Sequence, residues 1–247
     1  MYLVLDLGNT LSKLALFEQD VCVQKAQYPL GHFMEHALLK WQAQYNITAC
    51  ILSSVIEHEA FLEKWLKQTN FPIYTLSHDT PLPIENLYET PKSLGKDRIA
   101  NAVGIADKNT DKNRLCIDFG TCIKYDVVSQ NAYMGGAISM GYEMRLNALH
   151  QFTAKLPLLS EKICEDIQIG TDTESSMYLG SFGGILAEVF ALIEQFKAQY
   201  SDLEVVITGG SAKYFENSIK KQIFVQFMPD LTLRGLLAIL TFNHENK

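Results

Sequence analysis

One short pattern occurs twice in this chain, and it limits the fold more than any other feature. Tyr2 to Leu7 reads as an apolar strand carrying Asp6; Gly8-Asn9-Thr10 turns it, and Leu11 to Phe17 resumes as a second strand carrying Lys13. The arrangement returns at Leu115 to Phe119 with Asp118, the turn Gly120-Thr121, and a strand from Cys122 to Val128 with Lys124. Both copies read apolar-Asp-x-Gly-(Asn)-Thr-x-x-Lys and predict an antiparallel hairpin. The two acids lie 112 positions apart in a chain of 247 residues. A second echo follows each copy: Ala49 to Val55, and Val205 to Ser211, are buried-type strands ending in small hydroxyl or glycine residues. The expected fold is therefore α/β with a structural duplication, in two domains covering 1–113 and 114–247. The second is enlarged by a helical insertion over about 141–200.

Helical spacing of apolar positions predicts helices over 33–45, 57–68, 142–155, 173–200 and from Leu231 to about Phe242. Pro91 followed by Ser93 suggests an N-cap for a helix running to about Asp107. The polar segment 108–114 reads as the linker, and 77–92 is the most loop-like stretch. With 21 Lys+Arg against 28 Asp+Glu the formal charge is −7, which disfavours a nucleic-acid partner. Five cysteines without C-x-x-C spacing argue against a disulfide framework or structural zinc. The first residues lead straight into a strand, with no signal-peptide pattern, and no apolar run approaches a membrane span. A cytoplasmic protein with no membrane partner is expected.

The paired hairpins suggest phosphate chemistry. Glycine lets backbone N–H groups approach phosphate oxygens, and the threonine hydroxyl adds a donor. An Asp beside a phosphate would instead hold a cation that bridges to it. Two such hairpins in duplicated halves suggest a nucleotide held between domains, with Gly209-Gly210 offering backbone to an adenosine. The arrangement resembles the acetate/sugar kinase, Hsp70 and actin superfamily, in which two RNase H-like domains clamp ATP in the cleft between them. That likeness alone leaves kinase, phosphatase, chaperone and filament open, although the chain is short for the last two.

A more specific resemblance rests on motifs spread over nearly the whole chain. They are Asp6-Leu7-Gly8-Asn9-Thr10, Tyr88, Gly95-Lys96-Asp97-Arg98 with Asn101, Asp118-Phe119-Gly120-Thr121, Gly135-Gly136-Ala137-Ile138, Gly170 to Thr173, and Thr208-Gly209-Gly210. In this order they resemble type III pantothenate kinases. The resemblance implies ATP-dependent phosphorylation of pantothenate, the first step towards coenzyme A, with Asp97 as the general base. It implies that Tyr88, Gly95, Lys96, Arg98 and Thr173 bind pantothenate, and that Asp6, Leu7, Gly8, Asn9, Thr10, Leu11, Ser12, Lys13 and Thr121 cradle ATP. Asp118 would hold a monovalent cation, K⁺ or NH₄⁺, and Asp6 the Mg²⁺ that accompanies ATP. A homodimer with the substrate pocket at its interface is also implied.

Some residues carry plainer readings. Asp97 suits any helix N-terminus, Thr173 would serve as an N-cap, and Lys13 as a solvated strand residue. Asp97, Asn101 and Gly104 share a helical face that would leave room for ligand. The Met177/Gly180/Gly184/Ala187/Ala191 stripe suggests close packing on another helix, across a dimer. Two departures from the family stand out: Met140 in place of the usual Pro, and Cys122-Ile123-Lys124 in place of small or hydroxyl residues. The ammonium of Lys124 would alter nucleotide affinity or substitute for a cation. Alternatives to the pantothenate kinase are another small-molecule, sugar-type kinase, or a non-catalytic accessory or regulatory protein of the same fold.

Overall fold

The computed structural model describes residues 1–29, 34–58, 60–106 and 112–245. The chain divides into two compact units, Met1–Ala106 with Asp230–Lys247, and Asp107–Pro229.

In the first unit, β1 (Tyr2–Leu7), β2 (Leu11–Glu18) and β3 (Val21–Pro29) form an antiparallel meander. After α1 (Glu35–Gln44) comes β4 (Ala49–Ser54), which pairs parallel to β1; after α2 (Ala60–Gln68), β5 (Ile73–Thr75) pairs parallel to β4. The strand order is β3-β2-β1-β4-β5. A two-residue strand β6 (Glu85–Asn86) and a 3₁₀ turn at Pro91–Ser93 precede α3 (Lys96–Ile105). Side chains alternate across a strand, so Leu3, Leu5 and Leu7 pack with Leu14 and Leu16 against Leu38 and Trp41 of α1 and Leu62 and Trp65 of α2. Val4 and Asp6 share the opposite face.

The second unit repeats the plan. β7 (Arg114–Phe119), β8 (Cys122–Ser129) and β9 (Ala132–Met140) form the meander. Helices α4 (Tyr142–Gln151), α5 (Thr173–Tyr178) and α6 (Gly184–Lys197) intervene, the last two joined by a π-helical turn at Leu179–Gly183. β10 (Glu204–Thr208) pairs parallel to β7, and after α7 (Ala212–Lys220), β11 (Gln226–Phe227) pairs parallel to β10. The order β11-β10-β7-β8-β9 is that of the first sheet, strand for strand. Leu115, Ile117 and Phe119 pack with Phe182, Ile185, Val189 and Phe215. The expected helical stretch over 141–200 is thus broken by an irregular segment at 152–172.

The last helix corrects the expected domain division. α8 (Leu231–Glu245) follows β11 in chain order as α3 follows β5, yet it packs in the first unit, on α3, β1 and β4. Backbone clearance explains how. A Cβ on Gly235 would lie 1.7 Å from the Ala100 carbonyl oxygen, and one on Gly104 would lie 2.8 Å from Leu231 Cδ1. Thr232 donates to Asn101 Oδ1 at 2.8 Å within this contact. The Asn101/Gly104 face of α3 is therefore a helix–helix seam, not space for a ligand.

Smaller expectations shift too. Ser93 is not the cap of α3; its hydroxyl donates to the Thr90 carbonyl at 2.9 Å, and Gly95 takes the N-cap position. Asp172, not Thr173, caps α5, in a reciprocal box with Ser175. The linker core 108–111, with Phe33 and Asp107, lies outside the described residues. Contrary to expectation, the span Thr173–Lys197 is long and apolar enough to cross a membrane by length and composition. Its Ile185, Val189 and Ile193 are fully buried in the core of the second unit. All five cysteines are free, and burial pushes the thiols of Cys50 and Cys116 up, so both stay protonated as small core residues.

Because Gly235 meets rigid backbone, Gly235→Ala should destabilise the protein by about 1–3 kcal/mol or more through overpacking. Denaturant unfolding would show this as a lowered midpoint; an unchanged midpoint would mean that α8 does not cross α3 this closely.

Candidate functional site

In each unit the hairpin and the following parallel strand end together, so their carboxyl ends form one rim. In open α/β sheets that rim is where ligands bind. In the first unit it carries Asp6, opposite Lys13 across β1 and β2, and opposite Ser53 on β4. The Gly8 N–H donates to the Leu11 carbonyl at 3.1 Å, so this amide closes the turn and is spent on it. Leu7 and Ser12 are buried, while Asn9 and Thr10 form the exposed tip. Of the run from Asp6 to Lys13, the tip is what a phosphate would meet first.

The start of α3 is tied to the same rim. Lys96 Nζ donates to the Ser54 carbonyl at 2.8 Å, at the end of β4. Lys96 thereby ties the start of α3 to β4. The next residue, Asp97, folds back: its Oδ1 accepts from the Arg98 N–H at 2.9 Å, and a Cβ on Gly95 would lie 2.7 Å from that oxygen. The glycine of the Gly-x-Asp-Arg motif makes room for the acid two residues on. Arg98 is buried, with its guanidinium carbon 5.6 Å from the centre of the Tyr88 ring, a cation–π contact that orients both. The Tyr88 N–H donates to Asn86 Oδ1 at 3.1 Å. The structure therefore brings Tyr88, Gly95, Lys96, Asp97 and Arg98 into one cluster.

In the second unit Asp118 stands opposite Lys124, and Lys124 Nζ lies 2.9 Å from Asp118 Oδ2. The Gly120 N–H closes this turn on the Cys122 carbonyl at 3.2 Å, and Thr121 is exposed at the tip. Gly209 has φ +99°, and a Cβ there would lie 2.4 Å from the Phe119 carbonyl oxygen and 2.6 Å from Asp118 Oδ1. Its role is to let the β10–α7 loop sit on the hairpin, while Gly210 faces open space. Among the described residues there is no cluster of three or more His, Cys, Asp or Glu that would hold a metal alone. Asp6 by itself suits Mg²⁺ arriving with a nucleotide, because Mg²⁺ keeps several waters and needs one or two carboxylates beside phosphate.

Thr173 lies elsewhere in the second unit, on the wall of a cavity of about 970 Å³ between α4 and α5. Sequence reasoning missed much of its lining, Arg145, Phe152 and Ser181 among it. Arg145 pairs with Glu188, which also accepts from Tyr125 at 2.8 Å and Ser139 at 2.9 Å. Burial and Glu188 push the Tyr125 phenol up, keeping it a donor. Ser181 is buried in the π-helical turn, and its hydroxyl has no hydrogen-bond partner among the described residues. The Gly180 and Ser181 pair was the available signal, since π-turns often mark functional sites.

Comparison with known proteins bears on the family and the fold. The family model of type III pantothenate kinase matches residues 2–195. A relative of that name from Bacteroides fragilis is 39% identical over 246 residues, covering 99% of this chain and 99% of its own. Another, from Christiangramia forsetii, is 38% identical over 244 residues, covering 98% and 99%. Two solved structures share the fold. One is a Campylobacter jejuni protein provisionally described as a Baf family transcriptional activator, with TM-score 0.65 and 19% identity, covering 98% of this chain and 99% of that one. The other is component A of the (R)-2-hydroxyglutaryl-CoA dehydratase of Acidaminococcus fermentans, with TM-score 0.56 and 12% identity, covering 100% and 99%. Both units are RNase H-like.

The two glycines beside acids should respond differently to Ala. Gly95→Ala displaces only a carboxylate tip and should cost less than about 1 kcal/mol of stability. Gly209→Ala combines a positive φ with a backbone clash and should cost about 1–3 kcal/mol. Equal melting temperatures for the two variants would contradict this assignment.

Proposed function

The chain belongs to the type III pantothenate kinase family, and from that premise we propose how its residues perform the transfer of a phosphoryl group from ATP to pantothenate. The Asp97 carboxylate takes the proton from the primary hydroxyl of pantothenate. That oxygen attacks the γ-phosphorus, the bond to the β-phosphate oxygen breaks, and ADP leaves. Such transfers rest mainly on positioning and charge stabilisation, with a base contributing about 10²–10⁴ in rate. The observation that carries this reading is the Asp97 carboxylate folded back over Gly95, beside the buried Arg98 and the half-buried Tyr88 that it faces.

Arg98 and Tyr88 hold the carboxylate or amide of pantothenate, a planar guanidinium suiting either. Lys96 acts indirectly, by fixing the start of α3 to β4. The exposed Asn9, Thr10 and Thr121 supply hairpin donors to ATP, with Lys13 beside them. Asp6 would hold Mg²⁺, whose chemistry is to neutralise phosphate charge. The resemblance assigns a monovalent cation to Asp118, where Lys124 already stands. Five free thiols fit a cytoplasmic enzyme.

A homodimer completes this reading. Gly180, Ala187 and Ala191 are exposed along one face, and a Cβ on Gly180 would meet nothing within 4 Å. Phe152 at the cavity mouth is 80% exposed, with Met140 at 49% and Ile138 at 61%. An apolar patch of this kind marks an interaction site. With a second copy on this face, some substrate contacts, that of Thr173 among them, cross between subunits.

A coupled ADP-release assay with ATP and Mg²⁺ over a panel of pantothenate and sugars tests the function; turnover of a sugar but not of pantothenate would refute it. Asp97→Asn should keep ATP binding and lose at least about 10²-fold in kcat. A fully active variant would remove Asp97 from its role as base. Gly180→Leu has room in the isolated fold, so it should leave the melting transition intact while light scattering shows the mass falling to a monomer. An unchanged dimer would place the interface elsewhere.

A further inference from the structure

The residues around Asp118 do not fit an exchangeable monovalent cation, because the chain supplies one itself. Lys124 lies directly across the hairpin from Asp118, its ammonium 2.9 Å from Oδ2, and the side chains are only 14% and 10% exposed. The other carboxylate oxygen faces two glycines. Oδ1 lies 2.6 Å from where a Gly209 Cβ would be and 3.6 Å from that of Gly120, while Lys124 Nζ lies 3.8 Å from the latter. The ammonium thus sits under the turn that presents Thr121. It carries the same unit charge as K⁺ or NH₄⁺, at an ordinary nitrogen–oxygen distance for an ion pair. A second monocation on the same carboxylate would face like-charge repulsion in a poorly solvated pocket. Tethering also keeps the ammonium in place at any salt concentration.

We propose that Lys124 is a built-in monovalent cation: it neutralises Asp118 beside the nucleotide phosphates, so this enzyme needs neither K⁺ nor NH₄⁺. The inference deepens the kinase reading and rests on it for the identity of the ligand.

The test is ADP affinity by calorimetry, with turnover in parallel, in choline chloride against KCl or NH₄Cl at equal ionic strength. The natural protein should bind ADP and turn over within about twofold in all three salts. Lys124→Ala should lose about tenfold or more in ADP affinity in choline, and recover most of it on adding K⁺ or NH₄⁺. A natural protein that gains about tenfold on adding K⁺ overturns the proposal without any variant, so it survives a variant that fails to fold. A folded Lys124→Ala that binds ADP normally in choline also overturns it, as does one whose loss no cation restores. Salt-independent ADP binding without pantothenate turnover would sink the substrate reading alone. No ADP binding in any salt would sink both.

Discussion

The structure depends on a charge problem set at the end of two core strands. Each unit begins with an apolar strand whose neighbours are fully buried, and each ends that strand on an acid, Asp6 or Asp118. A carboxylate at low exposure is costly unless it is paired or well hydrogen-bonded. The hairpin answers this in its register: the returning strand brings Lys13 level with Asp6 and Lys124 level with Asp118. Each turn spends the amide of its glycine on its own closure, which fixes the register and leaves the threonine at the tip. Tip position, charge balance and strand pairing are thus settled by the same few residues.

The duplication was legible because it is local. A hairpin of strands six and eight residues long carries its register in its own alternation, and the echo strands are β4 and β10, which the structure pairs parallel to β1 and β7. What was not legible is tertiary. α8 belongs to the second repeat by order and to the first unit by contact, because Gly104 and Gly235 let two equivalent helices cross with their backbones touching. Nothing in the periodicity of either helix names its partner. The repeat could have revealed α7: it follows β10 as α2 follows β4, and buries Ala212, Phe215 and Ile219 at helical spacing.

At the candidate site, motif residues and their surroundings differ in the same way. Tyr88 and Arg98 are ten positions apart, and the cation–π contact between them came from the motif only as two names. Lys96 reads as a substrate ligand in a linear motif, yet its ammonium is engaged by the Ser54 carbonyl, 42 residues earlier. Gly95 looks like a helix breaker and is in fact the clearance for Asp97. The cavity lined by Arg145, Phe152 and Ser181 joins segments that share no pattern, so only the π-helical turn at Leu179–Gly183 offered a local sign of it.

The chemistry lies in what each half does not share. Both units contain the same five strands in the same order, with α2 and α7, and α3 and α8, as counterparts. The first copy places Asp97 and Arg98 at the start of its last helix; the corresponding start of α8 holds Leu231 and Thr232, given over to packing. The second copy expands between β9 and β10 into α4, α5 and α6, which wall the cavity and expose the small-residue face. The hairpin keeps the same Asp–Lys register in both, and there a net charge of −7 makes the placement of each cation count. Lys124 and Arg98 are both largely buried, where charge is least screened by salt and acts most strongly on a bound anion.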